Sequence, residues 1–177
     1  AHSYERVMPG EKYLDSIINF WRVYAGYTGE SAKSCRQFLE TIINTNQFPL
    51  TELGTLSASE TAKIMENSYR AANIAFVDEW TKFAESIGID LYEVIRAIAV
   101  RPTHSNIRYP GVGVGGYCLT KDPLFAPAAA TQLFKLPDLS FPFIGLAQKI
   151  NQQMPHHVDH IVAERRVEQS TFQTGLS

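Results

Sequence analysis

The chain has 177 residues, 45% hydrophobic and 19% charged, with a formal net charge of -2. That length fits one globular domain or slightly more, with apolar content enough for a sizeable core. The near-neutral charge gives no electrostatic case for nucleic acid or an acidic lipid surface as partner, and no apolar run approaches the ~20 residues that span a bilayer.

Residues 1–8 read as extended, up to the turn signal Pro9-Gly10. From Tyr13, the positions Leu14, Ile17, Ile18 and Trp21 have helical spacing, and Arg22–Ala25 is then β-prone. Residues 30–45 form an amphipathic pattern with Ala32, Cys35, Phe38, Leu39, Ile42 and Ile43 on the apolar face. Pro49 opens a second short β-prone run. The order strand, helix, strand over residues 22–53 predicts a βαβ remnant of an α/β domain, too small to stand as one. Ser57-x-x-Glu60 predicts a capping box that opens a helix to about Ile87, with Gly88 at its C′ position. At roughly 30 residues this helix far exceeds the mean of about 11–12. It is apolar on much of its circumference (Ile64, Met65, Ile74, Phe76, Val77, Trp80, Phe83), and a partner subunit is one way to cover it. Asp90-x-x-Glu93 begins a helix ending near Val100. A Pro- and Gly-rich loop fills 101–117, helices follow at 123–133 and 140–165, and the last ten residues read as frayed or foreign. The start at Ala1, without Met and mid-protein in character, predicts a piece of a longer chain. Two cysteines in different settings, and no charged-then-apolar leader, predict a reducing cytoplasm rather than secretion.

The stretch Tyr109-Pro-Gly-Val-Gly-Val-Gly-Gly-Tyr-Cys-Leu-Thr-Lys-Asp122-Pro carries the most chemistry. Gly111, Gly113, Gly115 and Gly116 remove side chains where a ligand or another backbone approaches. Cys118 follows this loop, and Pro123 suits the first position of a helix. A cysteine near a helix N-terminus is favoured as the nucleophilic thiolate. The same glycines spell GxGxxG at Gly111, Gly113 and Gly116, but no strand precedes them and a cysteine follows, so a dinucleotide reading is rejected. Cys35, on an apolar helix stripe, reads as a small core residue. Asp122 before Pro123 reads as an N-cap that could also orient water or the thiol. Lys63 and Asn67 share a helix face, either as a solvated stripe or as paired donors for an oxyanion. His156, His157 and His160 have partly metal-like spacing without supporting ligands, so they read as a solvated face and no metal is expected. Taken locally, Cys118 stays open between inert and nucleophilic.

Set together, these residues resemble the UDP-glucose/GDP-mannose dehydrogenase family. The resemblance is carried by Ser3-Tyr-Glu-Arg-Val-x-Pro-Gly10, Glu60-x-x-Lys-x-x-x-Asn67 with Arg70-Ala, Glu85-x-x-Gly-Ile-Asp90, Pro110-Gly-x-Gly-x-Gly-Gly-x-Cys-Leu-x-Lys-Asp122-Pro, and Asn151-x-x-Met-Pro155. It implies a mainly α fold: a helical dimerisation domain like the C-domain of 6-phosphogluconate dehydrogenase over residues 57–150, preceded by a Rossmann remnant over 1–56 and followed over 151–177 by a connecting helix towards a nucleotide-binding domain. It implies two NAD-dependent oxidations of a UDP-sugar C6 hydroxyl to the carboxylate, in a homodimer, with NAD bound by an N-terminal domain outside this chain. Cys118 would form the thiohemiacetal and thioester, Lys63 and Asn67 would stabilise the oxyanion, Asp122 would assist proton transfer or position water, and Glu5 would serve in hydrolysis. The loop from Gly111 through Gly113, Gly115, Gly116 and Tyr117 would shape the sugar–diphosphate pocket. Arg101 and Arg108 are candidates for an arginine reaching a partner's site. SYERVMPG resembles the UDP-N-acetylhexosamine branch, where Pro9 replaces a second glutamate of other branches, whereas GGYCLTKD is nearer the UDP-glucose branch. Two other readings compete: the helical domain of a β-hydroxyacid dehydrogenase, which needs no cysteine, and a non-catalytic dimerisation module.

Overall fold

The computed structural model describes residues 1–174, so residues 175–177 of the tail expected to be frayed lie outside the described residues. The chain is mostly helical with one three-stranded sheet. It divides into two compact units, Ala1–Met65 and the chain from Glu66 onward.

The first unit holds the sheet. Strand β1 (His2–Tyr4) pairs antiparallel with β2 (Val23–Ala25), which pairs parallel with β3 (Thr51–Glu52). Helix α1 (Tyr13–Ile18) lies between β1 and β2 in sequence, and α2 (Gly29–Glu40) forms the crossover between the parallel strands. The strand–helix–strand order expected over 22–53 is therefore present, although α2 ends at Glu40 rather than near residue 45. Thr28 caps α2, accepting from the Ser31 amide while the Ser31 hydroxyl accepts from Thr28 N–H. Gly26 joins β2 to α2 where a Cβ would stand 2.3 Å from the Ala32 nitrogen, so only glycine lets the helix seat this closely. Tyr24, Ala32, Leu39 and Ile43 form the core of this unit, with Cys35, Phe48 and Leu50 packed against it. Burial of each large apolar side chain here contributes roughly 1.5–3 kcal/mol. Two of the six positions of the apolar stripe read over residues 30–45 are not core: Phe38 and Ile42 are exposed.

Helix α3 (Leu56–Ser86) begins in the first unit and continues into the second. Its cap is Thr55, whose hydroxyl accepts from the Ala58 amide at 3.1 Å, so the expected start at Ser57 is corrected by two residues. Gly88 ends it as expected, with φ +73 and the Ile89 amide donating back to Ala84 O. Helix α4 (Leu91–Ala99) is capped by Asp90 through the Tyr92 amide. After the loop come α5 (Cys118–Lys121), a 3-10 turn at Asp122–Leu124, α6 (Phe125–Gln132) and α7 (Pro142–Thr174), which runs through Pro155. Within the second unit the buried positions of α3 include Asn67, Ala71, Ala75, Val77, Asp78, Thr81 and Ala84, while Tyr69, Phe76, Trp80 and Phe83, and Ile87 just past the helix end, are exposed. No helix among the described residues is long and apolar enough to cross a membrane.

Candidate active site

The sequence places Cys118 directly behind four glycines, and in the structure it is the first residue of α5, exposed and free of any disulfide. The turn before it is built by Gly113 (φ +116) and Gly116 (φ +83), both in backbone conformations that side chains resist. The Thr120 hydroxyl donates to Gly116 O at 2.6 Å and locks the start of the helix. Leu119 is buried, and its carbonyl accepts from the buried amide of Gln148 on α7 at 2.8 Å, so the thiol stands on an anchored turn. Further up the loop, Tyr109 stacks on Tyr92 at 5.7 Å between centroids, and the Tyr92 hydroxyl donates to Pro110 O.

Asn67 and Asp122 are both buried, and the Asn67 amide nitrogen donates to Asp122 Oδ2 at 2.7 Å. Lys121 Nζ donates to the other carboxylate oxygen, also at 2.7 Å, and lies over the Phe125 ring. Asp122 is therefore held at both oxygens. The expectation that it caps a helix is corrected: its own backbone is helical, and its buried side chain turns to Asn67 and Lys121, which satisfy both carboxylate oxygens. In the first unit, Lys63 is half-buried, donates through Nζ to Glu5 O at 2.9 Å and sits 5.2 Å from the centre of the Tyr4 ring. Glu5 in turn forms an ion pair with buried Arg22 at 3.3 Å. The structure thus groups Lys63 with Glu5 and Asn67 with Asp122.

The glycines divide by role. A Cβ on Gly113 would stand 2.9 Å from the Pro155 ring, so the close approach there is to α7. Gly111 and Gly115 have no atom within 4 Å of that position, and Tyr117 is exposed. Neither glycine run fits a dinucleotide phosphate: Gly113 is filled by Pro155, and Gly26 after β2 is filled by the Ala32 backbone.

Several site-supporting residues were not singled out as such by sequence reasoning. Arg22 sits just before a strand, with only its charge to mark it. Asn151 and Met154 were seen as motif letters, and their work is internal: Asn151 donates to Ala71 O at 3.0 Å and Met154 is buried. Of the histidines, His157 pairs with Glu85 at 2.6 Å and His160 with Glu164 at 3.2 Å. Among the described residues, no three or more His, Cys, Asp or Glu side chains gather as a metal site. Arg101 is exposed, and the Arg108 amide donates to Asn73 Oδ1. Deep in the second unit, the Asp78 carboxylate has no exposed surface and no hydrogen-bond partner, and burial pushes it up to about 6 against the opposing charge of Lys82.

This arrangement of helices is shared with solved nucleotide-sugar dehydrogenases. The UDP-D-ManNAc dehydrogenase structure from Pyrococcus horikoshii superposes with a TM-score of 0.80 at 28% identity, over 96% of this chain and 37% of that one. Residues 57–153 match the central domain of the UDP-glucose/GDP-mannose dehydrogenase family, and the chain belongs to that family. It is 37% identical to the UDP-N-acetyl-D-mannosamine dehydrogenase of Methanocaldococcus jannaschii over 155 residues, 88% of this chain and 33% of the relative. It is 32% identical to the NDP-N-acetyl-D-galactosaminuronic acid dehydrogenase of Ralstonia nicotianae, over 89% of this chain and 34% of the relative. The chain thus spans about a third of the length of the curated relatives it matches.

Proposed function

We propose that the chain is the cysteine-bearing middle portion of a UDP-sugar 6-dehydrogenase that oxidises a C6 hydroxyl to the carboxylate for polysaccharide precursors. The observation that carries this reading is the buried Asn67–Asp122 hydrogen bond in the same unit as an exposed Cys118 opening α5 behind the glycine loop. In this reading residues 1–56 are the end of a Rossmann domain, 57–150 the helical catalytic and dimerisation domain, and 151–177 the connecting helix. NAD+, held by polypeptide outside this chain, supplies the hydride acceptor for both oxidations.

The chain's own residues handle the carbon and the protons. Cys118 adds through sulfur to the intermediate aldehyde, and the resulting thiohemiacetal goes on to the thioester. An asparagine amide has two N–H groups, and the one given to Asp122 leaves a second for a developing oxyanion. The Lys63 ammonium, with three donors, spends one on Glu5 O and has others for a developing negative charge. Asp122 assists proton transfer, and Glu5 takes the proton from the water that hydrolyses the thioester. Gly111, Gly115, Gly116 and Tyr117 line the sugar–diphosphate pocket, supported by the open space around Gly111 and Gly115. Gly113 belongs to the same loop as its anchor on Pro155.

The relatives' names favour an N-acetylated UDP-hexosamine over UDP-glucose. Dimerisation is supported by the exposed apolar side chains of α3, and a cytoplasmic setting by the two unpaired cysteines. The test is a side-by-side assay of the full-length polypeptide with UDP-N-acetylmannosamine, UDP-N-acetylglucosamine and UDP-glucose. Two NADH per sugar are expected, fastest with an N-acetylated substrate, while the isolated 177-residue chain reduces no NAD+. Cys118→Ser should stop uronate formation, and a variant that still makes the uronate would sink the nucleophile assignment.

A further inference from the structure

We propose that Arg22 is a positioning residue that aims the Glu5 carboxylate at the hydrolytic water. This rests on the hydrolytic role of Glu5 proposed above, and it is carried by the strand register. β1 and β2 pair antiparallel up to Tyr4↔Val23, so the next step of the register sets Glu5, just past β1, opposite Arg22, just before β2. The Arg22 side chain is 7% exposed and reaches Glu5 Oε2 through Nη1 at 3.3 Å. Its Nη2 donates to Ile17 O at 3.1 Å, at the end of α1, which fixes the plane of the guanidinium from the far side. The Arg22 carbonyl accepts from the Thr51 amide at 2.9 Å, so the residue is pinned at its backbone as well. Glu5 is held from a second direction by Lys63 on its own carbonyl.

The Glu5 side chain is 53% exposed, so a fixed carboxylate presents itself to water. The Arg22 Nε is buried without a hydrogen-bond partner, so the guanidinium directs its side-chain bonds through Nη1 to this exposed carboxylate and through Nη2 to Ile17 O. The step this geometry serves balances without an oxidant. A water O–H gives its proton to Glu5 as the water oxygen bonds to the thioester carbonyl carbon. The C–S bond then breaks with its electron pair on the Cys118 sulfur, the product acid gives its remaining proton to that thiolate and leaves as the carboxylate, and Glu5 returns its own proton to solvent.

The experiment uses the full-length polypeptide and four variants: Glu5→Gln, Arg22→Met, Arg22→Lys and the double variant Glu5→Gln/Arg22→Met. The first-turnover NADH burst, kcat and KM, and the intact mass of the protein during turnover are measured. For Glu5→Gln, a sugar adduct on Cys118 should accumulate while kcat falls roughly 10²-fold. Arg22→Met should give the same adduct with an unchanged burst and KM, and kcat lower by roughly 10-fold or more. Arg22→Lys should recover part of that loss, and the double variant should be no slower than Glu5→Gln. Burst and kcat falling together in Arg22→Met without adduct, or a further loss in the double variant, would make Arg22 merely structural and overturn the inference. If Arg22→Met does not fold, Arg22→Lys decides: slowed turnover with adduct supports the inference, and wild-type turnover without adduct overturns it. Absence of adduct in Glu5→Gln would instead remove the hydrolytic role of Glu5 itself, and the inference with it.

Discussion

At the scale of the residue, the two cysteines make the sharpest contrast. Cys35 packs against the Tyr24 core, whereas Cys118 stands exposed at the start of α5. In the folded chain iodoacetamide should modify Cys118 at least ~10-fold faster than Cys35, and this difference should vanish in denaturant. Equal rates in the folded state would remove the reason to single out Cys118. Asp78 supports a second prediction. Its folded value of about 6 stands above the ordinary 3.8, so the folded state binds this proton more tightly than the unfolded chain does. Below about pH 4 the group is protonated in both states and costs nothing. The penalty grows as pH rises towards 6 and is complete above it, up to an order of 3 kcal/mol. Asp78→Asn should therefore raise stability in urea at pH 7.5, with the gain shrinking towards zero at pH 4. A gain that persists unchanged at pH 4 would mean that the charge is not its source.

At the scale of the element, Gly113 is the most exposed to a test. An alanine there meets both an unfavourable φ of +116 and the Pro155 ring at 2.9 Å, for an expected loss of roughly 1–3 kcal/mol by thermal or urea unfolding. In a Pro155→Ala background the overlap is relieved, and only the backbone strain should remain. The elements themselves were largely legible. Periodicity placed α2, α3 and α4, and turn chemistry placed Gly88 and Asp90, because those signals act within a few residues. Helix starts were less so: Thr55 and Ser57 are both good caps, and only the tertiary path chooses between them. The candidate site was readable as a set of motif residues, but not as a set of bonds. Nothing local tells that Asp122 turns inward to Asn67, that Lys63 holds the Glu5 carbonyl, or that Gly113 fits a proline on α7. Those contacts join positions far apart in sequence, where spacing carries no information.

At the scale of the whole molecule, the second unit exposes one line of large apolar residues along α3 and the turn that ends it. Tyr69, Phe76, Trp80, Phe83 and Ile87 recur at steps of seven, four, three and four, the spacing of a helix seam that packs against another helix. Trp80 meets Phe83 edge-on at 5.7 Å and Phe76 at 6.2 Å between centroids, so the middle of the line is an aromatic ridge of three rings. Such a ridge is a poor match for water and a good one for a second copy of itself across a two-fold axis. The chain should sediment as a dimer at micromolar concentration, and Trp80→Glu should shift it to monomer without loss of helical circular dichroism. A wild-type chain that sediments as a monomer would contradict the dimer proposal.

The seat of Gly113 on Pro155 reaches further than stability. A proline has no N–H for the Asn151 carbonyl one turn earlier, and the glycine loop lies over that same turn, with its would-be Cβ 3.6 Å from Asn151 O. The two positions therefore form one heritable unit although they are far apart in the gene. A lineage that replaces the proline removes the overlap and leaves only the backbone strain at φ +116 against a change of the glycine, whereas one that replaces the glycine first meets both. Their substitution histories should be correlated across descendants of this chain, with proline loss preceding glycine loss.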